Sequence, residues 1–169
     1  MPTPIGHGLT SAGVIQAAGE SSPAKVFFLF LAGLFPDVDI LLGRFPVLRK
    51  LGFYHQGITH TFLAAVVFSV AVLAISGDRK LAGLSLLLYF LHILLDLFMV
   101  DHNPPIGFRP FYPFWDKLLN FPFIPPTDKS SLGGMVSRGS LRALLWETSF
   151  FTYIYITILG VKAWIGRKD

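Results

Sequence analysis

The chain has 169 residues, of which 53% are hydrophobic and only 14% charged, with a mean hydropathy of +0.60. An ordinary soluble domain carries about 25% charged side chains, so this chain has too little polar surface for a freely soluble globule, and its 17 Phe, 3 Trp and 5 Tyr exclude a disordered one. The net charge of +4 would suit nucleic acid in a soluble protein, but the basic residues lie between apolar runs. Membrane flanks are the simpler reading, and no nucleic-acid partner is expected.

The length allows one domain over 1–169. A weakly apolar stretch rich in small residues predicts a first helix over 6–18. The apolar run 24–36 predicts a second, short one, ended abruptly by Pro36 with Asp37 and Asp39. No Lys, Arg, Asp or Glu occurs over 51–76 or 81–95. Helices over 60–76 and 81–100 follow, and the tight turn 76–80 between them makes an antiparallel hairpin. Next comes a segment, 101–140, whose first part holds seven prolines and seven aromatic residues within 101–126. Proline makes it irregular and the aromatics draw it to a membrane interface. A last helix is predicted over 141–165. The runs at 60–76, 81–100 and 141–165 each reach the roughly 17–25 residues of a membrane-spanning helix. The expected fold is therefore all-α: an integral membrane bundle of about four to five helices with a Pro/aromatic-rich interfacial loop. The first 25 residues lack the basic start and compact apolar core of a cleavable signal, and no internal repeat is visible.

Short connections fix which ends of these helices lie together. The start of 60–76 and the end of 81–100 share one side of the hairpin. The exit of 24–36 feeds the former, and if 6–18 descends before 24–36 ascends, His7 begins on that same side. All five histidines (His7, His55, His60, His92 and His102) and the aspartates Asp37, Asp39, Asp96 and Asp101 then gather at one end of the bundle.

Three constellations sharpen this picture. His92 and Asp96 stand four apart in a helix and so share a face, and an ionisable pair at membrane depth is expensive enough to point to function. His102 extends the pattern to His-x3-Asp-x5-His. Asp37 and Asp39 repel one another at a helix exit, and a shared cation relieves that repulsion. His55 and His60 flank Gly57; on a continuous helix they would point about 140° apart. The glycine lets His55 sit in a turn while His60 opens the helix, with Thr59 or Gly57 near the cap. With no cysteine in the chain, disulfides and thiolate ligands are excluded, and any metal must be held by His, Asp or Glu.

His7, FPDVD over 35–39, HQGITHT over 55–61 and LHILLD over 91–96 occur in this order. Together they resemble the YdjM-like family of membrane-bound metal-dependent hydrolases, over roughly residues 5–115. Its members show an early His, an LPD-x-D element, an HRG-x-THS element and an SHLLLD helix; Gln56 and Thr61 are mild departures. The 92–102 spacing is also similar to the zinc sites of bacterial phospholipases C and P1-type nucleases. That likeness implies His7, Asp37 or Asp39, and His55 or His60 as the upstream ligands. The chain lacks those enzymes' N-terminal Trp and later His-x3-Glu/Asp pair, so one or two ions are expected rather than three.

The resulting expectation is a phosphoesterase-like hydrolase of a lipidic substrate. Its divalent metal, Zn²⁺ before Mn²⁺ or Fe²⁺, would be held by His7, Asp37, Asp39, His55, His60, His92, Asp96 and His102. Asp37, Asp39 and Asp96 are the catalytic candidates. Arg109, Lys117, Arg138 and Arg142 are candidates for a phosphate headgroup. A transporter or metal-handling protein is the alternative, since intramembrane His and Asp also line ion paths. The setting is a prokaryotic cytoplasmic membrane with lipids as partners. The charge-dense short loops opposite the cluster suggest that the site faces outward.

Overall fold

The structure, a computed structural model, describes residues 4–98, 107–122 and 138–166. It is all-helical, as expected: among the described residues the only β feature is an isolated bridge between Phe108 and Leu119. The elements are α1 (Pro4–Ala17), α2 (Pro23–Leu34), a 3₁₀ turn (Phe35–Val38), α3 (Asp39–Leu42), α4 (Pro46–Lys50), a second 3₁₀ turn (Ile58–His60), α5 (Phe62–Ser76), α6 (Arg79–Leu97) and α7 (Arg138–Ile165).

Local chemistry sets the boundaries. Pro23 opens α2 at a position where its missing N–H is not needed. The Thr61 side chain accepts from the Ala64 N–H and caps α5. The sequence had pointed to Thr59 or Gly57 for that role; Thr59 is instead turned inward. Gly77, at φ 65°, closes α5 in the left-handed conformation, and Asp78 caps α6 by accepting from Leu81 N–H at 2.9 Å. The two caps together make the hairpin turn, and Lys25 at the foot of α2 ties to Asp78 at 2.6 Å.

One length expectation fails. With Thr61 as its cap, α5 runs for only 15 residues, about 22 Å at 1.5 Å per residue, and so falls short of a full span. Among the described residues only α6, with 19 residues, and α7, with 28, are long and apolar enough to cross a bilayer. The short helices α3 and α4 were not foreseen.

Packing brings α1, α2 and α6 together around Val14, Ile15, Leu29 and Leu88. α5, α6 and the 107–122 segment meet around Ala65, Tyr89, Ile93, Leu97 and Phe108. Along α1 lies α7, with Phe151 buried against Leu95 and Leu9. Glu147, the charge inside the last apolar run, is fully buried on the side of α7 that meets Gly6. The opposite face of α7 is apolar and open, as at Tyr153 and Ile156.

The 51–61 connection is tightly packed around Gly57. A β-carbon on Gly57 would lie 2.2 Å from the Gly52 carbonyl oxygen and 2.6 Å from that of Tyr54. Both are backbone atoms that cannot swing aside. Gly57→Ala is therefore expected to destabilise the protein by at least about 1–3 kcal/mol, the usual range for overpacking, read as a lowered unfolding temperature in detergent.

Candidate metal centre

The topology places ionisable side chains from four separate elements in one spot. His7 comes from the first turns of α1, and Asp37 from the 3₁₀ turn after α2. His60 ends the 3₁₀ turn before α5, while His92 and Asp96 lie one turn apart near the end of α6. His7, His60, His92 and Asp96 are each at most 3% exposed.

Their atoms converge. His60 Nε2 lies 3.1 Å from Asp96 Oδ2 and 3.7 Å from Asp37 Oδ1. His92 Nε2 lies 3.6 Å from Asp37 Oδ1 and 3.7 Å from Asp96 Oδ2. His7 Nε2 approaches Asp96 Oδ1 at 3.3 Å, and its ring stacks on His92 at 3.7 Å. None of these approaches has hydrogen-bond alignment. Among the described residues, His7 Nδ1 and Nε2, Asp37 Oδ1, His60 Nε2, His92 Nε2 and both Asp96 oxygens are buried without a hydrogen-bond partner.

That spacing has a simple chemical reading. Donors around one tetrahedral cation at the usual Zn–N and Zn–O lengths of about 2.0–2.1 Å sit about 3.3 Å from one another. The separations of 3.1 to 3.7 Å bracket this value. The four residues Asp37, His60, His92 and Asp96 offer donor atoms all within 4.8 Å of one another. An imidazole–carboxylate donor set fits a divalent cation of the zinc kind.

The surroundings hold the imidazoles in the matching tautomers. His92 Nδ1 is 2.8 Å from the Gly33 carbonyl oxygen, so Nδ1 carries the proton and Nε2 presents a lone pair to the cluster. His60 Nδ1 is 2.9 Å from Asp39 Oδ2 and 3.2 Å from Thr59 Oγ1, which commits the Nδ1 proton there and frees Nε2 in the same way. A ligating imidazole is usually fixed by such a carboxylate or carbonyl behind it.

Asp39 does not join the cluster. Its Oδ2 accepts from the Thr59 hydroxyl at 2.6 Å and the Gln56 N–H at 3.0 Å, and its Oδ1 meets His55 Nδ1 at 3.1 Å. Burial alone would raise its carboxyl, but His55, His60 and Thr59 outweigh burial and hold it down at about 2. Asp37 is likewise held below the usual carboxylate range, because the imidazoles of His60 and His92 outweigh its burial. Burial pushes His60 down, yet Asp37, Asp39 and Asp96 around it raise it well above its ordinary value. Three carboxylates thus surround His60, an arrangement that either a proton or a divalent cation would neutralise.

Asp39, His55 and His60 form a second group whose donor atoms lie within 4.8 Å of one another, and the remaining predicted residues are spread out. His55 sits behind Asp39, its side chain 36% exposed. His102 lies outside the described residues. Arg109 pairs through Nε with Asp116 at 3.0 Å, and Lys117 lies over the Trp115 ring at 5.7 Å. Arg138 and Arg142 are exposed on the first turns of α7. Part of the aromatic segment does reach the cluster: Pro110 O accepts from the Phe62 N–H, and buried Phe108 meets the His60 ring edge-on at 5.8 Å. Sequence reasoning missed Gly33, Thr59 and Tyr89, whose hydroxyl donates to Thr59 O at 2.8 Å. Thr59 carried a signal, lying between Asp39's partner Gln56 and His60 in one motif; a backbone carbonyl such as Gly33's carries none.

An all-helical chain with two helices of spanning length and a buried imidazole–carboxylate cluster at one end has the anatomy of a membrane protein with a polar site. The chain belongs to the YdjM inner membrane protein family, whose family model matches residues 1–165. It is thus an inner membrane protein, and the open apolar face of α7 has lipid to meet. No curated protein and no solved structure matches the chain, so the spacing shared with zinc phospholipases C and P1-type nucleases finds no counterpart there.

Proposed function

We propose that this protein is a membrane-bound metal-dependent hydrolase that cleaves a phosphoester bond in a lipid or lipid-like substrate. The observation that carries this reading is the convergence of seven buried, unpartnered donor atoms from His7, Asp37, His60, His92 and Asp96. Asp37, His60, His92 and Asp96 would hold the cation, with His7 braced against Asp96. Asp39 positions His60 and His55. Because its oxygens already accept hydrogen bonds, one ion fits better than two.

A bound divalent cation supplies Lewis acidity, bringing the pKa of a water to about 7 and drawing charge from a phosphoryl oxygen. The protein's own contribution is to hold the donors rigid and to exclude bulk water. Phe108 covers His60, and only Asp37 among the four ligands has notable side-chain exposure, at 15%. Water would therefore approach from the Asp37 side. The overall reaction adds water across the P–O bond, giving an alcohol and a phosphate monoester from a diester.

The test is hydrolysis of a chromogenic phosphodiester by the purified protein. Activity should disappear on chelation and return with Zn²⁺ or Mn²⁺. The transporter or metal-handling alternative uses the same cluster, but the ionisable residues gather at one end and α5 carries none along its length. Stoichiometric metal without any phosphodiester or phospholipid hydrolysis would favour that alternative.

A further inference from the structure

A cleft of about 450 Å³ opens beside the cluster, between the end of α4 with the loop that follows it and the 107–118 segment. Its inner wall is formed by His55, Gln56 and Phe108. These residues touch the cluster's support directly, since His55 and the Gln56 N–H bind Asp39 and Phe108 meets His60. The cleft is therefore one side chain away from the proposed metal ligands.

The wall chemistry is one-sided. Lys50 and Arg109 line the cleft, and among the described residues no Asp or Glu does. Asp116 Oδ1 lies 3.0 Å from Arg109 Nε as an ion pair without hydrogen-bond alignment, which leaves the donor fork of the guanidinium for another acceptor. Among the described residues no carboxylate lies within ion-pair reach of Lys50. Two cations beside an imidazole, with one carboxylate on Arg109 and none on Lys50 among the described residues, fit a phosphate group.

The mouth of the cleft is apolar on both sides. Leu51 is 63% exposed on one lip and Leu118 42% exposed on the other. Behind them, Val47 of α4 and Phe114 of the aromatic segment also stand open. Exposed aliphatic and aromatic side chains next to Lys and Arg are the composition of a segment lying in the headgroup region of a bilayer. A soluble phosphate would gain nothing from such lips; a lipid would bury acyl chain against them.

We propose that this cleft docks a membrane phospholipid with an anionic headgroup, its phosphate between Lys50 and Arg109 and its chains passing between the apolar lips into the bilayer. The lipid's role as substrate rests on the hydrolase reading above; its binding does not.

Binding can be read by native mass spectrometry of the detergent-solubilised, metal-loaded protein. The probe is a phosphonate analogue of phosphatidylglycerol, in which a P–C bond blocks cleavage, with diacylglycerol and inorganic phosphate as comparison probes. The wild type should bind the phosphonate lipid and neither comparison probe at the same concentration. Lys50→Ala and Arg109→Ala should each weaken binding about tenfold, the equivalent of one charge-assisted hydrogen bond. The double variant Lys50→Glu/Arg109→Ala should abolish it while keeping its metal content and unfolding temperature. Unchanged lipid affinity in the double variant would overturn the proposal, as would inorganic phosphate binding as tightly as the lipid. Metal content is measured on the same samples. Absent metal with intact, Lys50-dependent lipid binding would sink the hydrolase reading alone, and retained metal with Lys50-independent binding would sink the cleft alone.

Discussion

Asp96→Ala is expected to remove bound metal entirely and to abolish phosphodiester hydrolysis, with His92→Ala doing the same. Asp96 is the hub of the cluster, with His7 on Oδ1 and His60 and His92 on Oδ2. The energetics point the same way. A buried polar atom without a partner costs about 1–3 kcal/mol, and seven such atoms occur here. A cation that ligates them converts that penalty into binding energy, so ligand binding and folding are coupled. Chelation of the wild type should accordingly lower its unfolding temperature markedly, and metal should restore it. Asp96→Ala should show no metal-dependent shift. Elemental analysis of the purified variant together with a melting curve with and without chelator checks this; retained metal in Asp96→Ala or His92→Ala would overturn the ligand assignment.

Asp39→Asn separates positioning from ligation. The carboxylate accepts from Thr59, Gln56 and His55 and stands behind His60 Nδ1. An amide of the same shape loses the charge and turns a donor toward groups that themselves donate. His60 then loses the partner that fixes its tautomer. Replacing such an outer partner typically costs about 10–100-fold in metal affinity or activity, so Asp39→Asn should bind metal about that much more weakly yet still respond to added excess metal. Competition with a chromophoric chelator gives the affinity directly. Complete loss at saturating metal would make Asp39 a ligand rather than a support.

Much of this arrangement was legible in the residues. Apolar runs bounded by Pro23, Pro36 and the 76–80 turn placed α1, α2, α5, α6 and α7 within a few residues, because breakers and caps are local signals. The gathering of His7, Asp37, His60, His92 and Asp96 followed from short connections alone. The division of labour between Asp37 and Asp39 was not legible. Two residues apart means a different separation on a 3₁₀ turn from that on an α-helix, and only the fold reveals that Phe35–Val38 is 3₁₀. Asp37 thereby turns to the imidazoles of His60 and His92, and Asp39 to the back of His60. α3 and α4 escaped notice for a similar reason: helices of four and five residues leave too few positions for a period to show. Lys50 was passed over because a cation beside a membrane needs no special explanation until a cleft is seen next to it.

The unequal helix lengths carry a mechanical consequence. α1, α2 and α5 have 14, 12 and 15 residues, against 19 and 28 in α6 and α7. At 1.5 Å per residue the shorter three reach only about 18–22 Å, well under the roughly 30 Å of a hydrocarbon core. A bilayer meets such a mismatch by thinning locally or by letting the longer helices tilt. Either response would draw the headgroup layer inward on the flank where α2 ends and α5 begins, which is where Asp37 and His60 lie. A phospholipid docked there, as proposed above, would then reach that depth with its phosphate without being lifted out of the membrane.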